Sequence, residues 1–154
     1  MKKYVFYLLL GCLSLSMTSC DLETSDNGEL DGLWQLASVD TLATDGHTDL
    51  RERNVCWAVQ GKLLELKRAD IWYICKFSNE NGFLTLGTLH FVERDAGDPE
   101  VVDDNSDELD DKYKLEALRP YGINALEESF RIEKLNSSTM VLESTLLRLN
   151  FRKY

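Results

Sequence analysis

The chain has few of the residues from which catalytic and metal centres are built: only two of its 154 residues are histidine and four are cysteine. His47 and His90 are too few for a three-histidine zinc site and leave little room for a Ser-His-Asp triad. No Gly-x-Ser-x-Gly elbow, Walker motif or dinucleotide-binding glycine motif occurs. We therefore expect no catalytic residue, no metal site and no cofactor, and we interpret the chain as non-enzymatic.

The chain also lacks an apolar run long enough to cross a bilayer, which needs about 20 residues. Its uncharged apolar run, Tyr4 to Leu15, is about a dozen residues long. The run follows Lys2-Lys3 and leads to the small residues Thr18 and Ser19. This charged, apolar, small-residue order is typical of secretory signals, so we predict a signal peptide over residues 1–19.

The residues at the end of this leader, Met17-Thr18-Ser19-Cys20, resemble the lipobox of bacterial lipoproteins. The resemblance implies that Cys20 is lipidated and begins the mature chain, on the periplasmic face of the outer membrane or at the cell surface. Residues 20–31 are acidic and without periodicity, which predicts a lipidated cysteine on a flexible tether. Asp21, Glu23 and Asp26 resemble the surface-export signal of Bacteroidota lipoproteins.

Basic residues are outnumbered, 17 against 27 acidic ones, and form no cluster. Loss of Lys2 and Lys3 with the leader would leave 15 against 27, a net charge of −12. Such a chain repels phosphate backbones, so we expect no nucleic-acid partner. Membrane contact is expected through the lipid anchor alone, and we expect a monomer.

From residue 32 onward, short runs rich in β-branched and aromatic residues alternate between apolar and polar, which is the period of half-buried strands. The pattern predicts one all-β domain over residues 32–154, an up-and-down antiparallel barrel or near-barrel of about eight strands. The predicted strands are Leu33–Val39, Val55–Leu66, Ile71–Phe77, Phe83–Val92, Ser129–Leu135, Met140–Glu143 and Thr145–Tyr154.

An even strand count, which antiparallel closure requires, can be reached in two ways. Val55–Leu66 is one bent strand and Lys112–Leu118 another, or the first is a hairpin and the second a helical turn. The sequence leaves both alternatives open.

Two further features also remain open. Cys56 and Cys75 could form a disulfide, although each also suits a small buried position in a strand. Residues 93–111 carry ten carboxylates and little apolar content, which is typical of a solvated loop. A calcium loop begun at Asp103 would need glycine at Glu108 and glutamate at Lys114, so only weak calcium binding would be compatible with this segment.

The two ends of the domain carry a resemblance. Gly32-Leu33-Trp34 and the basic end of Leu147–Lys153 resemble the lipocalin pattern, in which a cation lies across the first-strand indole. The resemblance implies a calycin-type barrel with Trp34 and Arg152 paired at its closed end. The whole domain is similar to lipocalin-like lipoproteins of Bacteroidota, particularly at Tyr121-Gly122-Ile123 and over Met140–Tyr154. A second lipocalin motif is missing, whereas Asp40–Asn54 suits the long first loop.

Aromatic residues in neighbouring strands provide the functional hypothesis. An eight-stranded barrel is either filled by side chains or holds one small ligand. We predict a binding module for a small, largely apolar ligand; the alternative is a structural or protein-interaction lipoprotein with a filled barrel. Strand alternation directs Tyr73 and Phe77 inward and Trp72 outward. The candidate ligand-lining residues are Trp57, Tyr73, Phe77 and Phe91.

Overall fold

A computed structural model describes residues 25–69, 71–93, 100–101 and 111–154, with the backbone alone for 91–93 and 100–101. Single-turn 3-10 helices lie at Gly28–Leu30, Arg51–Arg53 and Arg119–Tyr121, and helix α1 spans Asp111–Leu118. The strands are β1 Gly32–Thr41, β2 Gly46–Asp49, β3 Cys56–Gln60, β4 Leu63–Arg68, β5 Ile71–Glu80, β6 Phe83–Leu86, β7 His90–Glu93, β8 Glu100–Val101, β9 Ser129–Leu135, β10 Thr139–Glu143 and β11 Leu147–Lys153.

Eight of these strands form a closed antiparallel ring. The order is β1-β3-β4-β5-β6-β9-β10-β11, and β11 pairs with β1 from Thr41↔Leu147 to Trp34↔Lys153. The prediction of an all-β, up-and-down barrel is therefore confirmed. The second of the two strand counts is the observed one, because β3 and β4 form a hairpin and residues 111–118 are helical.

Two barrel positions are occupied by interrupted strands. β3 pairs with the first half of β1 and β2 with the second half, so the segment from 40 to 54 forms a short strand and a 3-10 turn instead of one long loop. β6 and β7 both pair with β5 and are separated by residues 87–89. β8 pairs with β7 outside the ring.

The barrel axis is filled by side chains. The Trp57 ring lies edge-on to Phe130 at a centroid distance of 5.7 Å and to Phe151 at 5.1 Å, so aromatic groups from β3, β9 and β11 meet inside the ring. Cys56 and Cys75 are buried free thiols, so the disulfide alternative is wrong and the buried-position alternative holds. The other fully buried strand residues include Trp34, Leu36, Leu64, Leu66, Leu84, Leu86, Met140, Leu142 and Leu149.

The end of the barrel at which β1 begins and β11 ends is the closed end. Leu30 is fully buried there, and the Trp34 indole N–H donates to its carbonyl at 2.7 Å. Asn27 Nδ2 donates to the carbonyl of Gly61 in the β3–β4 turn. Residues 25–31, which the sequence assigned to the tether, therefore lie folded against the barrel.

The opposite, open end is partly closed by residues 118–123, which begin at the last residue of α1; we call this segment the plug. Leu118, Tyr121 and Ile123 are buried among the core residues. The Trp57 indole N–H donates to the carbonyl of Tyr121 at 3.2 Å, which joins the plug to the middle of the barrel.

Candidate functional site

A cavity of about 230 Å³ lies at the open end, which we call the mouth cavity. It lies between the end of β1, the start of β11, the segment from β2 to β3, the end of β4 and the plug. Its lining combines apolar residues with three arginines. The lining residues are Val39, Thr48, Leu50, Arg53, Val55, Arg68, Arg119, Pro120, Gly122 and Leu147.

The first wall of the cavity is held by the β1–β2 hairpin and the turn that follows it. Leu50 N donates to the Ala37 carbonyl at 2.8 Å, and the 3-10 turn Arg51–Arg53 begins at the next residue. The buried Gln35 side chain donates to the Arg51 carbonyl at 2.8 Å, which fixes the turn against β1. Arg53 is consequently presented at the mouth from an anchored turn.

The opposite wall comes from β4 and the plug. Arg68 is the last residue of β4, and Arg119-Pro120 opens the 3-10 turn after α1. Gly122 has φ +85°, and a Cβ there would lie 2.7 Å from Leu149 Cδ2. Glycine at this position thus lets the plug approach β11 closely.

Two carboxylates near the cavity, Asp40 and Asp49, are engaged with other side chains. Asp49 accepts hydrogen bonds from Arg51, which lower the pKa of Asp49 to about 2. Asp40 lies 2.6 Å from His47 Nδ1, and this hydrogen bond is the main cause of the lowered pKa of Asp40. Within the described part of the chain, no carboxylate belongs to the cavity lining.

Three of the four predicted ligand-lining residues, Trp57, Tyr73 and Phe77, do not line the mouth cavity. Trp57 is fully buried, and Phe77 is half-buried against the core. Tyr73 packs edge-on against Tyr121 at 5.7 Å, and burial raises the pKa of Tyr73. Phe91 pairs with Tyr73 in the backbone register, and its side chain lies outside the described part of the chain. Ligand contact by these four residues stays a prediction.

The two faces of β5 follow the expected alternation. Tyr73 and Phe77 pack against the core. Trp72 lies on the outer face, where Lys67 Nζ sits 4.9 Å from its ring and its indole N–H donates to the Ala69 carbonyl.

The cation at the closed end differs from the expected one. Lys153 Nζ lies 4.9 Å from the Trp34 ring centroid, whereas Arg152 Nε donates to Gln35 Oε1 at 2.5 Å. The predicted pair of Trp34 with Arg152 is therefore corrected to Trp34 with Lys153. The reason is the register: Trp34 is directly opposite Lys153, and Arg152 points to the other face with Gln35.

Sequence reasoning missed the three arginines of the mouth cavity. Arg53, Arg68 and Arg119 come from separate segments and share no motif or spacing. A usable signal was available only for Arg119, which precedes the helix-breaking Pro120 and the Tyr121-Gly122-Ile123 stretch that carries the resemblance.

Other predicted sites are not represented among the described residues. Cys20 and the segment considered for calcium, 103–108, lie outside them. Within the described ranges, no group of three or more potential metal ligands occurs. No helix in the same ranges is long and apolar enough to span a membrane.

Comparisons with known proteins agree with this architecture. The model of a family described as a lipocalin-like domain matches residues 15–154. A lipocalin-like protein from Bacteroides uniformis superposes with a TM-score of 0.54 at 19% identity, covering 82% of this chain and 100% of that one. A protein from Bacteroides eggerthii superposes with a TM-score of 0.52 at 16% identity, covering 80% of this chain and 98% of that one. A protein from Burkholderia xenovorans superposes with a TM-score of 0.51 at 14% identity, covering 80% of this chain and 82% of that one. No curated protein matches the chain.

Proposed function

The chain belongs to the family of lipocalin-like domains, and from this premise we propose that it is a non-enzymatic binding module that holds a small ligand in the mouth cavity. The single observation that carries the proposal is this cavity of about 230 Å³, whose lining combines apolar residues with arginines and a threonine. Concave sites with this mixed lining are typical of small-molecule binding.

The size of the cavity limits the ligand. It is larger than the roughly 150 Å³ that accommodates benzene in an engineered protein and smaller than the roughly 300 Å³ at which drug-sized pockets begin. Because Trp57, Phe130 and Phe151 fill the axis below, the ligand would lie at the mouth rather than deep in the barrel. A short chain or a single ring with a polar end fits these limits.

The proposal includes the membrane anchor at Cys20, with the domain acting as a monomer at the outer membrane. Ser25, the first described residue, follows Cys20 by five residues, which can span at most about 18 Å. Residues 25–31 are docked at the closed end. An anchor attached there supports a geometry in which the mouth faces away from the bilayer.

A structural or protein-interaction role is the second candidate, and the filled barrel axis favours it. Under this hypothesis the mouth cavity binds no small molecule, and the protein acts through its outer surface.

Amide NMR titration of the soluble domain separates the two functions. Octanoate and octanamide serve as probes. They have the same chain length and head groups of similar shape, but only octanoate is charged. Binding should shift the amide signals of Val39, Thr48 and Gly122. Thr48→Trp places an indole at the mouth and should abolish these shifts, whereas His47→Trp, one position along β2 and on its other face, should not.

Absence of saturable shifts with either probe would overturn the binding function in favour of the structural one. Saturable shifts that persist unchanged in Thr48→Trp would place any binding elsewhere and would also contradict the proposal.

A further inference from the structure

We infer that the mouth cavity selects an amphipathic anion, whose acidic head is recognised by Arg53, Arg68 and Arg119 and whose short apolar body lies against the β1–β11 wall. The inference rests on the proposed function and specifies the chemical class of its ligand. The apolar lining residues are Val39, Leu50, Val55, Pro120 and Leu147.

The charge of the lining departs from that of the chain. Acidic residues outnumber basic ones 27 to 17, and the net charge is −10. Among the described residues, the cavity nevertheless has three arginines and no carboxylate in its lining. A positive site on an acidic protein attracts small anions locally, while the surrounding negative charge repels large polyanions.

The three arginines also differ from the other arginines of the described chain, each of which has a side-chain partner. Arg51 is paired with Asp49, Arg131 with Glu133 and Glu143, and Arg148 with Glu143. Arg152 is bonded to Gln35. Among the described residues, Arg53, Arg68 and Arg119 have no ion pair or side-chain hydrogen bond.

The lining residues of the cavity come from several separate elements. Val39 and Leu147 belong to the adjacent strands β1 and β11, whereas Arg68 ends β4, on the far side of β3. Arg53 and Arg119 enter from two different turns. Arginines that line one cavity from three segments can bind a carboxylate, sulfonate or phosphate head through the paired N–H donors of their guanidinium groups.

In the ligand-free protein, water can solvate the arginines that would contact the head group. Arg53 and Arg119 are exposed and Arg68 is half-buried, so the free site keeps its guanidinium groups hydrated. Each arginine should therefore contribute moderately, and loss of one should weaken binding about 3- to 10-fold.

The test compares the affinities of octanoate and octanamide in the same NMR titration. Octanoate should bind at least about tenfold more tightly, and its affinity should fall as sodium chloride is raised from 20 to 300 mM, because screening weakens exposed ion pairs. The affinity of octanamide should respond little to salt.

Arg68→Gln and Arg119→Gln should each weaken octanoate binding 3- to 10-fold and leave octanamide binding nearly unchanged. Arg131→Gln, which removes the same charge from the outer face of β9, is the matched control and should alter neither. Equal affinity for the two probes, or an equal effect of all three variants, would overturn the anion selectivity while the binding function stands. Failure of both probes to bind would overturn both.

Discussion

Lys153 holds its ammonium nitrogen 4.9 Å from the centre of the Trp34 indole and donates to the carbonyl of Glu29 at 3.2 Å. One side chain thus joins the last strand, the first strand and the 3-10 turn that covers the closed end. Gly32 permits this approach, because a Cβ at residue 32 would lie 2.7 Å from Lys153 Cε.

A double-mutant cycle tests which cation contacts Trp34. Lys153→Ala should cost about 1 kcal/mol, and its coupling to Trp34→Leu should be about 0.5–1 kcal/mol, since this is the usual strength of a cation–π contact near the surface. Arg152→Ala, the control, should be additive with Trp34→Leu to within about 0.3 kcal/mol. The measurement is urea unfolding; coupling confined to Arg152 would contradict the observed contact.

Gly122→Ala should destabilise the fold by about 2–4 kcal/mol. The cost combines a left-handed backbone, worth about 1–2 kcal/mol for alanine, with overpacking against Leu149. Gly61→Ala is the matched control, because Gly61 has φ +58° and nothing within 4 Å of a built Cβ. Chemical denaturation should show the smaller loss for Gly61→Ala; equal losses would mean that the plug does not press on β11.

Stability should decline in alkali because two buried groups resist ionisation. Burial raises the pKa of Tyr121 to about 12 from 10.0, and that of Cys75 to about 12 from 9.0. The unfolded chain loses these protons first, so their contribution is complete below about pH 9 and is lost as the pH rises towards 12.

The expected slope is about 1.4 kcal/mol per pH unit for each group that is ionised only in the unfolded chain. Unfolding free energies measured from pH 8 to 11.5 should fall less steeply above pH 10 in Tyr121→Phe than in the wild type. An identical slope would show that Tyr121 ionises as readily in the folded protein as in the unfolded one.

Cys20→Ala should abolish labelling with radioactive palmitate and move the protein from the membrane fraction to the soluble one. Cys12→Ala, in the apolar run of the same leader, should leave both properties unchanged. Membrane retention by Cys20→Ala equal to that of the wild type would refute the lipoprotein assignment.

The sequence was sufficient for the features that depend on strand alternation. The period of two along β5 separated Tyr73 from Trp72, whereas the hairpin at Gln60-Gly61 was one of two alternatives that the sequence left open. Such features are local, because each residue's face is set by its neighbours two positions away.

The sequence alone did not predict the features that depend on strand register or on contacts between distant segments. Arg152 and Lys153 are adjacent, and only the pairing of β11 with β1 decides which of them faces Trp34. Arg53, Arg68 and Arg119 converge only after the barrel has closed. No spacing in a single sequence predicts such a convergence.

Closure of the ring by β11 has a consequence for the order of events during folding. Arg152 and Gln35, which meet across the β1–β11 seam, are 117 residues apart. This edge of β1 therefore stays without its partner until β11 has reached it from the distant end of the domain. Pairings of such long sequence separation form slowly. A truncation that removes β11 would leave an open sheet with two unpaired edge strands.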